Sequence, residues 1–188
     1  MRIFIEGLLA VCEGQALDKE FETNNSVTID EYIKMIDLKT GHMIGLAAEL
    51  GAISAGITLE TCHAIRDYGR LIGRAFQIQD DYLEIFSSSS NMGKSLESDI
   101  ILGKKTFLII LALEKNGSMM NNALKTAQID FKEGIKQIRD YLENEGIKEA
   151  AEMEINNILN LANEKLSGLQ IDKKKLLYFS DLIKNRSH

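Results

Sequence analysis

Proline is absent from all 188 residues, where average usage would give about nine. Tryptophan is absent as well, and aromatic residues make up only 6%. A chain without proline and rich in Ile, Leu, Ala, Lys and Glu favours helices and argues against strand-and-turn architectures. Cysteine occurs twice, as Cys12 and Cys62, with no C-x-x-C pair. That excludes a disulfide scaffold and a cysteine metal knuckle, and predicts two reduced core thiols. No uncharged apolar stretch approaches the roughly 20 residues that a membrane span needs. The opening Met-Arg-Ile-Phe-Ile-Glu meets Glu6 before a long apolar run develops, so it makes a poor signal peptide and the cytoplasm is the expected location. Positive charge is also in deficit. The net charge of -6 argues against a nucleic-acid partner, which would call for a basic face. With 45% hydrophobic residues, disorder is excluded too. The expectation is an all-α chain forming one domain over residues 1–188.

What is present is helical periodicity. Ile3 to about Phe21 reads as a helix, interrupted by Glu22-Thr23-Asn24-Asn25-Ser26. Thr28 with Glu31 is a capping-box pattern that opens the next helix. His42 to Ala55, dense in Gly and Ala, reads as a buried helix kinked near Gly41, because small residues let helices or a ligand approach closely. Thr58 precedes a long helix from about Leu59 to Phe86. After a Ser-rich break and a loop to about Gly103, Thr106–Leu113 reads as helix closed by Asn116-Gly117. Asp130 and Glu133 cap another helix that Gly146 stops. Segments from Ile147 to Leu166 and Asp172 to Asn185 follow. About eight helices in one bundle are expected.

Chemistry concentrates in Gln77-x-x-Asp80-Asp81-x-x-Glu84. At 100° per residue these side chains share one helical stripe, and Ile78, Tyr82, Ile85 and Phe86 point away from it. Gathered carboxylates repel unless a cation or solvent offsets them. Hard oxygen ligands on one face suit Mg²⁺, which binds through one or two carboxylates together with substrate phosphates. A solvated acidic face is the plain alternative. Gly93-Lys94, Asp99 and Gly103-Lys104-Lys105-Thr106 follow within twenty residues or so, and Lys39-Thr40 adds a charge and a hydroxyl. Such lysines are what a metal-bridged diphosphate needs. His42, His63 and His188 read as structural, surface or terminal groups.

These segments together resemble the polyprenyl synthetase family, the trans-isoprenyl diphosphate synthases. Phe76-Gln77-Ile78-Gln79-Asp80-Asp81-Tyr82-Leu83-Glu84 is similar to its second aspartate-rich motif, F-Q-x-x-D-D-x-x-D. Gly14-Gln15-Ala16-Leu17-Asp18 resembles G-Q-x-x-D, Lys39-Thr40-Gly41 resembles K-T-G, and Gly51-Ala52-Ile53-Ser54-Ala55-Gly56 resembles G-A-x-x-A-G. The Gly93–Thr106 loop resembles G-K-x-x-x-x-D-x-x-x-G-K-x-T, and Leu182–Arg186 the family's short basic end. The likeness is strongest to bacterial short-chain enzymes of the farnesyl or geranylgeranyl type. It implies an isoprenoid-synthase helical bundle, usually a homodimer, that joins isopentenyl diphosphate to an allylic diphosphate head to tail with loss of pyrophosphate. By position it assigns Asp80, Asp81, Glu84 and Asp18 to Mg²⁺, with Gln15 supporting the site. Lys39, Lys94 and Lys104 are assigned to the allylic diphosphate, and Thr40 and Gln77 to the developing carbocation.

Three departures shape the expectation. Glu84 replaces the usual third Asp, and Leu108 stands where the family pattern has Pro. The family's first aspartate-rich motif, the arginine pair after it and the upstream segment that grips isopentenyl diphosphate are not found in these residues. The chain therefore resembles a C-terminal portion, with N-terminal helices missing, and is expected to be inactive alone. The alternative from another class is a non-catalytic partner or regulatory subunit of a complete synthase. Missing helices would leave apolar surface exposed around Ile44, Ala48 and Phe107.

Overall fold

The computed structural model describes residues 2–24, 26–87, 96 and 99–186, and among them there are helices and no strand. Helix α1 spans Arg2–Thr23 and α2 spans Ile29–Ile36. The predicted capping box forms at α2: the Glu31 carboxylate accepts from the Thr28 backbone N–H and hydroxyl at 2.9 Å each. In return the Glu31 N–H donates to the Thr28 hydroxyl oxygen at 3.3 Å. The kink expected near Gly41 is a π-helical turn, Asp37–Gly41, after which α3 runs His42–Ser54. Helix α4 covers Leu59–Phe86, the predicted bounds. The Gly93-Lys94 pair lies outside the described residues.

Helix α5 covers Phe107–Ile129, well past the predicted stop at Asn116-Gly117. Asn116 leaves helical geometry (φ −152°, ψ 85°), but its side-chain oxygen accepts from the Met119 N–H at 3.2 Å and the Ser118 hydroxyl at 2.9 Å. One residue therefore ends a helical run and caps its continuation. Helix α6 spans Phe131–Asn144, started by Asp130, whose carboxylate accepts from the Glu133 N–H at 3.1 Å. Gly146, at φ +70°, stops it as expected. Helices α7 (Ile147–Leu166) and α8 (Lys174–Lys184) complete the described chain.

The chain divides into two compact units. Among the described residues the first comprises 2–17, 33–77 and 154–186, and the second 18–24, 26–32, 78–87, 96 and 99–153. In the first unit Ile36, Cys62, Ile65, Ile72, Leu166 and Ile183 are buried. The Tyr68 hydroxyl, among them, donates to the Leu176 carbonyl. In the second unit Ile78, Ile85, Leu108, Ile110, Ile138 and Leu142 form the core. Each such side chain contributes about 1.5–3 kcal/mol by leaving water. Within that unit α5 and α6 meet with no room to spare: a Cβ on Gly134 would stand 2.2 Å from the Ala127 backbone.

Three expectations are corrected. Helix α3 is not buried. Gly45, Glu49 and Ala52 face inward while Met43, Leu50 and Ile53 are exposed. Its small residues serve one seam only: a Cβ on Gly69 of α4 would sit 2.9 Å from the Gly45 Cα, whereas one on Gly51 would meet nothing. Cys12 is exposed and only Cys62 is a core thiol. Phe107 is buried, and Ile44 and Ala48 are half-buried. Exposed apolar side chains do lie around Ile44 and Ala48, at Met43, Leu50 and Ile53, and the first turns of α1 add Phe4, Ile5, Leu8 and Leu9.

Candidate functional site

Helix α4 carries the acidic motif into the second unit. Ile78, Leu83 and Ile85 anchor this last stretch in the core, which fixes the rotation of the helix and hence the direction of the acids. Asp81 and Glu84 are buried, and Asp80 is half-buried. This is not a solvated acidic face.

Asp81 has a defined local task. Its Oδ2 accepts from the Tyr32 hydroxyl at 2.6 Å and from the Phe107 backbone N–H at 3.1 Å. Phe107 is the first residue of α5, capped by Thr106, so the carboxylate meets the positive end of a helix dipole. The Tyr32 ring also lies against Phe107, with centroids 6.0 Å apart. Burial pushes the Tyr32 phenol well above its ordinary value, and the charges of Asp81, Asp18 and Asp80 push it further the same way. It therefore stays a donor at any physiological pH. Asp18, Asp80 and Asp81 thus all act on the same phenol.

Lys104 is the cation of that neighbourhood. Its Nζ lies 2.7 Å from Asp99 Oδ2. Burial alone would lower its pKa, but the bond to Asp99 and the charges of Asp99, Asp81 and Glu84 hold it well above the usual lysine value. Gly103, at φ +72°, turns the backbone just before it, and a Cβ there would press within 3.0 Å of the Glu22 carbonyl. A pocket of about 260 Å³ opens here, with Glu84, Asp99, Lys104 and Lys105 at its polar side and Ile109 and Ile138 at its apolar side.

Among the described residues no three His, Cys, Asp or Glu side chains converge into a ready metal cage. One or two hard oxygens beside a charged lysine suit Mg²⁺ held jointly with phosphate oxygens, not Mg²⁺ alone. The donor set fits the ion on those terms.

In the first unit the π-helical turn presents Lys39 and Thr40, both half-buried. The Thr40 hydroxyl donates to Gln77 Oε1 at 3.2 Å, which joins two of the predicted residues. Gly14 brings α1 against the Lys39 backbone, and Gln15 is exposed beside it. Two groups at these places escaped the sequence reading. Tyr32 carries no local signature, because its partner is 49 residues away. Asp37 is held by Arg70 and Arg74, whose i,i+4 spacing on α4 was the only available hint.

Comparison with known proteins bears on the family and the fold. The polyprenyl synthetase family profile matches residues 1–143. The short chain isoprenyl diphosphate synthase of Methanothermobacter thermautotrophicus is 34% identical over 191 aligned positions, covering 100% of this chain and 59% of that protein. The geranylgeranyl diphosphate synthase of Methanosarcina mazei is 43% identical over 105 residues, 56% of this chain and 32% of the relative. The crystal structure of geranylgeranyl pyrophosphate synthetase from Pyrococcus horikoshii superposes with a TM-score of 0.86 at 33% identity, covering 98% of this chain and 57% of that one. The chain thus spans about three-fifths of the length of relatives that it matches end to end. An all-helical fold, an acidic motif beside a half-buried lysine and a profile match over three-quarters of the residues lead to one conclusion: the chain belongs to the polyprenyl synthetase family.

Proposed function

We propose that these 188 residues are a partial synthase domain, the C-terminal portion that holds an allylic diphosphate and Mg²⁺ for head-to-tail condensation with isopentenyl diphosphate. The observation that supports this reading is that the charges of Asp81, Asp18 and Asp80 bear on the buried Tyr32, and those of Asp99, Asp81 and Glu84 on Lys104. Asp80 and Glu84, with Asp18 nearby, would hold Mg²⁺, which supplies Lewis-acid stabilisation of a departing pyrophosphate. Asp81 is the fourth acid of this set and also a structural acceptor. Lys104, charged and half-buried, would stabilise the same leaving group electrostatically, and the resemblance also assigns Lys39 and Lys94 to the allylic diphosphate. Thr40 and Gln77, already hydrogen-bonded to each other, offer oxygen dipoles to a developing carbocation. The exposed Phe4, Leu8 and Leu9 of α1 support association, either with a second copy or with a complete synthase.

Asp80-Asp81 is the only Asp-Asp pair in the sequence, so the chain offers one acidic motif where the reaction employs two. The purified 188-residue chain is therefore expected to bind Mg²⁺-pyrophosphate by calorimetry but to give no product from isopentenyl and allylic diphosphates. Robust Mg²⁺-dependent prenyl transfer by the chain alone would overturn the claim of inactivity. Failure to bind pyrophosphate with Mg²⁺ present would overturn the site itself.

A further inference from the structure

We infer that Asp37, Arg70 and Arg74 form a positioning cluster that fixes the π-helical turn and so aims Lys39 and Thr40. The inference rests on the proposed anion-binding role of Lys39.

A π-helical turn is rare and persists only where its surroundings impose it. Asp37 is the first residue of this one, and it is buried. A carboxylate out of water is unfavourable without partners. Here it has two cations from α4: Arg70 Nε donates at 3.2 Å, with a second contact from the Arg70 guanidinium, and Arg74 Nε donates at 2.8 Å. Burial would raise the carboxyl pKa, yet the hydrogen bonds and charges of Arg70 and Arg74 hold it below the ordinary value. The ion cluster is therefore intact at neutral pH.

The far end of the turn is held by contact instead of charge. A Cβ on Gly73 of α4 would stand 2.7 Å from the Gly41 Cα, and one on Gly41 would stand 2.8 Å from Asp37 Oδ1 and 3.1 Å from the Arg70 carbonyl. His42 Nδ1 lies 3.1 Å from the Asp37 carbonyl oxygen, which ties the two ends together. Lys39 and Thr40 lie between these anchors. In this arrangement Arg70 and Arg74 spend their charge on Asp37. They act through the turn and not on the ligand.

The test uses the 188-residue chain with inorganic pyrophosphate and Mg²⁺ in a calorimeter. Lys39→Ala and Asp37→Asn are each expected to weaken binding about tenfold, the scale seen when a supporting shell is removed. Circular dichroism should show the helices retained. If Asp37→Asn does not fold, Arg74→Lys takes its place, since a lysine keeps the charge but loses the Nε donor. Weakened binding by Lys39→Ala with unchanged binding by the cluster variant overturns the positioning role alone. A lowered melting temperature with unchanged affinity does the same, because the cluster would then be merely structural. If Lys39→Ala leaves affinity unchanged, the reading of Lys39 fails instead. The cluster is then judged by amide shifts: Asp37→Asn should move those of residues 39–41 and leave those of α8 in place. Unmoved shifts at 39–41 overturn it.

Discussion

Asp81→Ala is expected to lower stability by about 2–5 kcal/mol, because each buried donor left unmatched costs about 1–3 kcal/mol. The Tyr32 hydroxyl and the Phe107 N–H both lose their acceptor in a buried setting. The N-terminus of α5 also loses a complementary charge. Some relief of repulsion with Asp80 and Glu84 works in the opposite direction, but like charges on neighbouring helical positions cost only about 0.5 kcal/mol. Asp80→Ala should behave differently. The Tyr32 and Phe107 donors are matched by Asp81, so the loss of the half-buried Asp80 is expected to cost less stability than Asp81→Ala while abolishing Mg²⁺-dependent pyrophosphate binding. Urea unfolding followed by circular dichroism separates the two. An Asp81→Ala protein as stable as wild type would show that this carboxylate does not hold Tyr32 to α5.

Gly14→Ala is the second large effect. An added Cβ would stand 2.4 Å from the Lys39 nitrogen, 2.8 Å from the Lys39 Cα and 2.9 Å from the Leu38 carbonyl carbon. All three are backbone atoms, so no rotamer change can make room. Alanine gains about 1 kcal/mol in helix propensity over glycine. Overpacking against backbone outweighs it, and the net expectation is a loss of about 2–3 kcal/mol. Gly51→Ala is the matched control. Its Cβ meets nothing within 4 Å, so only the propensity gain of up to about 1 kcal/mol remains. Thermal melts of the two variants should shift in opposite directions. Shifts of the same sign would mean that α1 does not press on the turn that carries Lys39.

Local chemistry made much of this fold legible. Thr28 with Glu31, Asp130 with Glu133, and Gly146 mark helix ends through bonds that span three or four residues, and each forms as expected. The bounds of α4 follow from an uninterrupted amphipathic pattern of 28 residues. Where local signals have two uses, the reading failed. Asn116-Gly117 looks like a terminator, but an Asn side chain caps a new run as readily as it ends an old one. The Gly and Ala of α3 looked buried because small residues permit close approach without requiring it, and only one face found a partner.

The candidate site divides along the same line. The acids, Lys104, Lys39 and Thr40 were marked by motif and spacing; in the structure the charges of Asp81, Asp18 and Asp80 bear on Tyr32, and those of Asp99, Asp81 and Glu84 on Lys104. What spacing could not reveal is the partner of each group. Tyr32 and Asp81 meet across 49 residues, and Arg74 reaches Asp37 across 37. Such pairs depend on helix packing, which leaves no trace in a short window of sequence.

The bond between Tyr32 and Asp81 also gives the protein an intrinsic optical reporter. With no tryptophan and only five tyrosines, near-ultraviolet absorbance above the phenylalanine bands belongs to tyrosine alone. One of those five chromophores donates its phenolic proton to an acid of the candidate metal set. Any cation or anion that redistributes charge around Asp81 should therefore perturb the Tyr32 band. The difference spectrum of Tyr32→Phe supplies the blank, so ligand occupancy can be followed without a label.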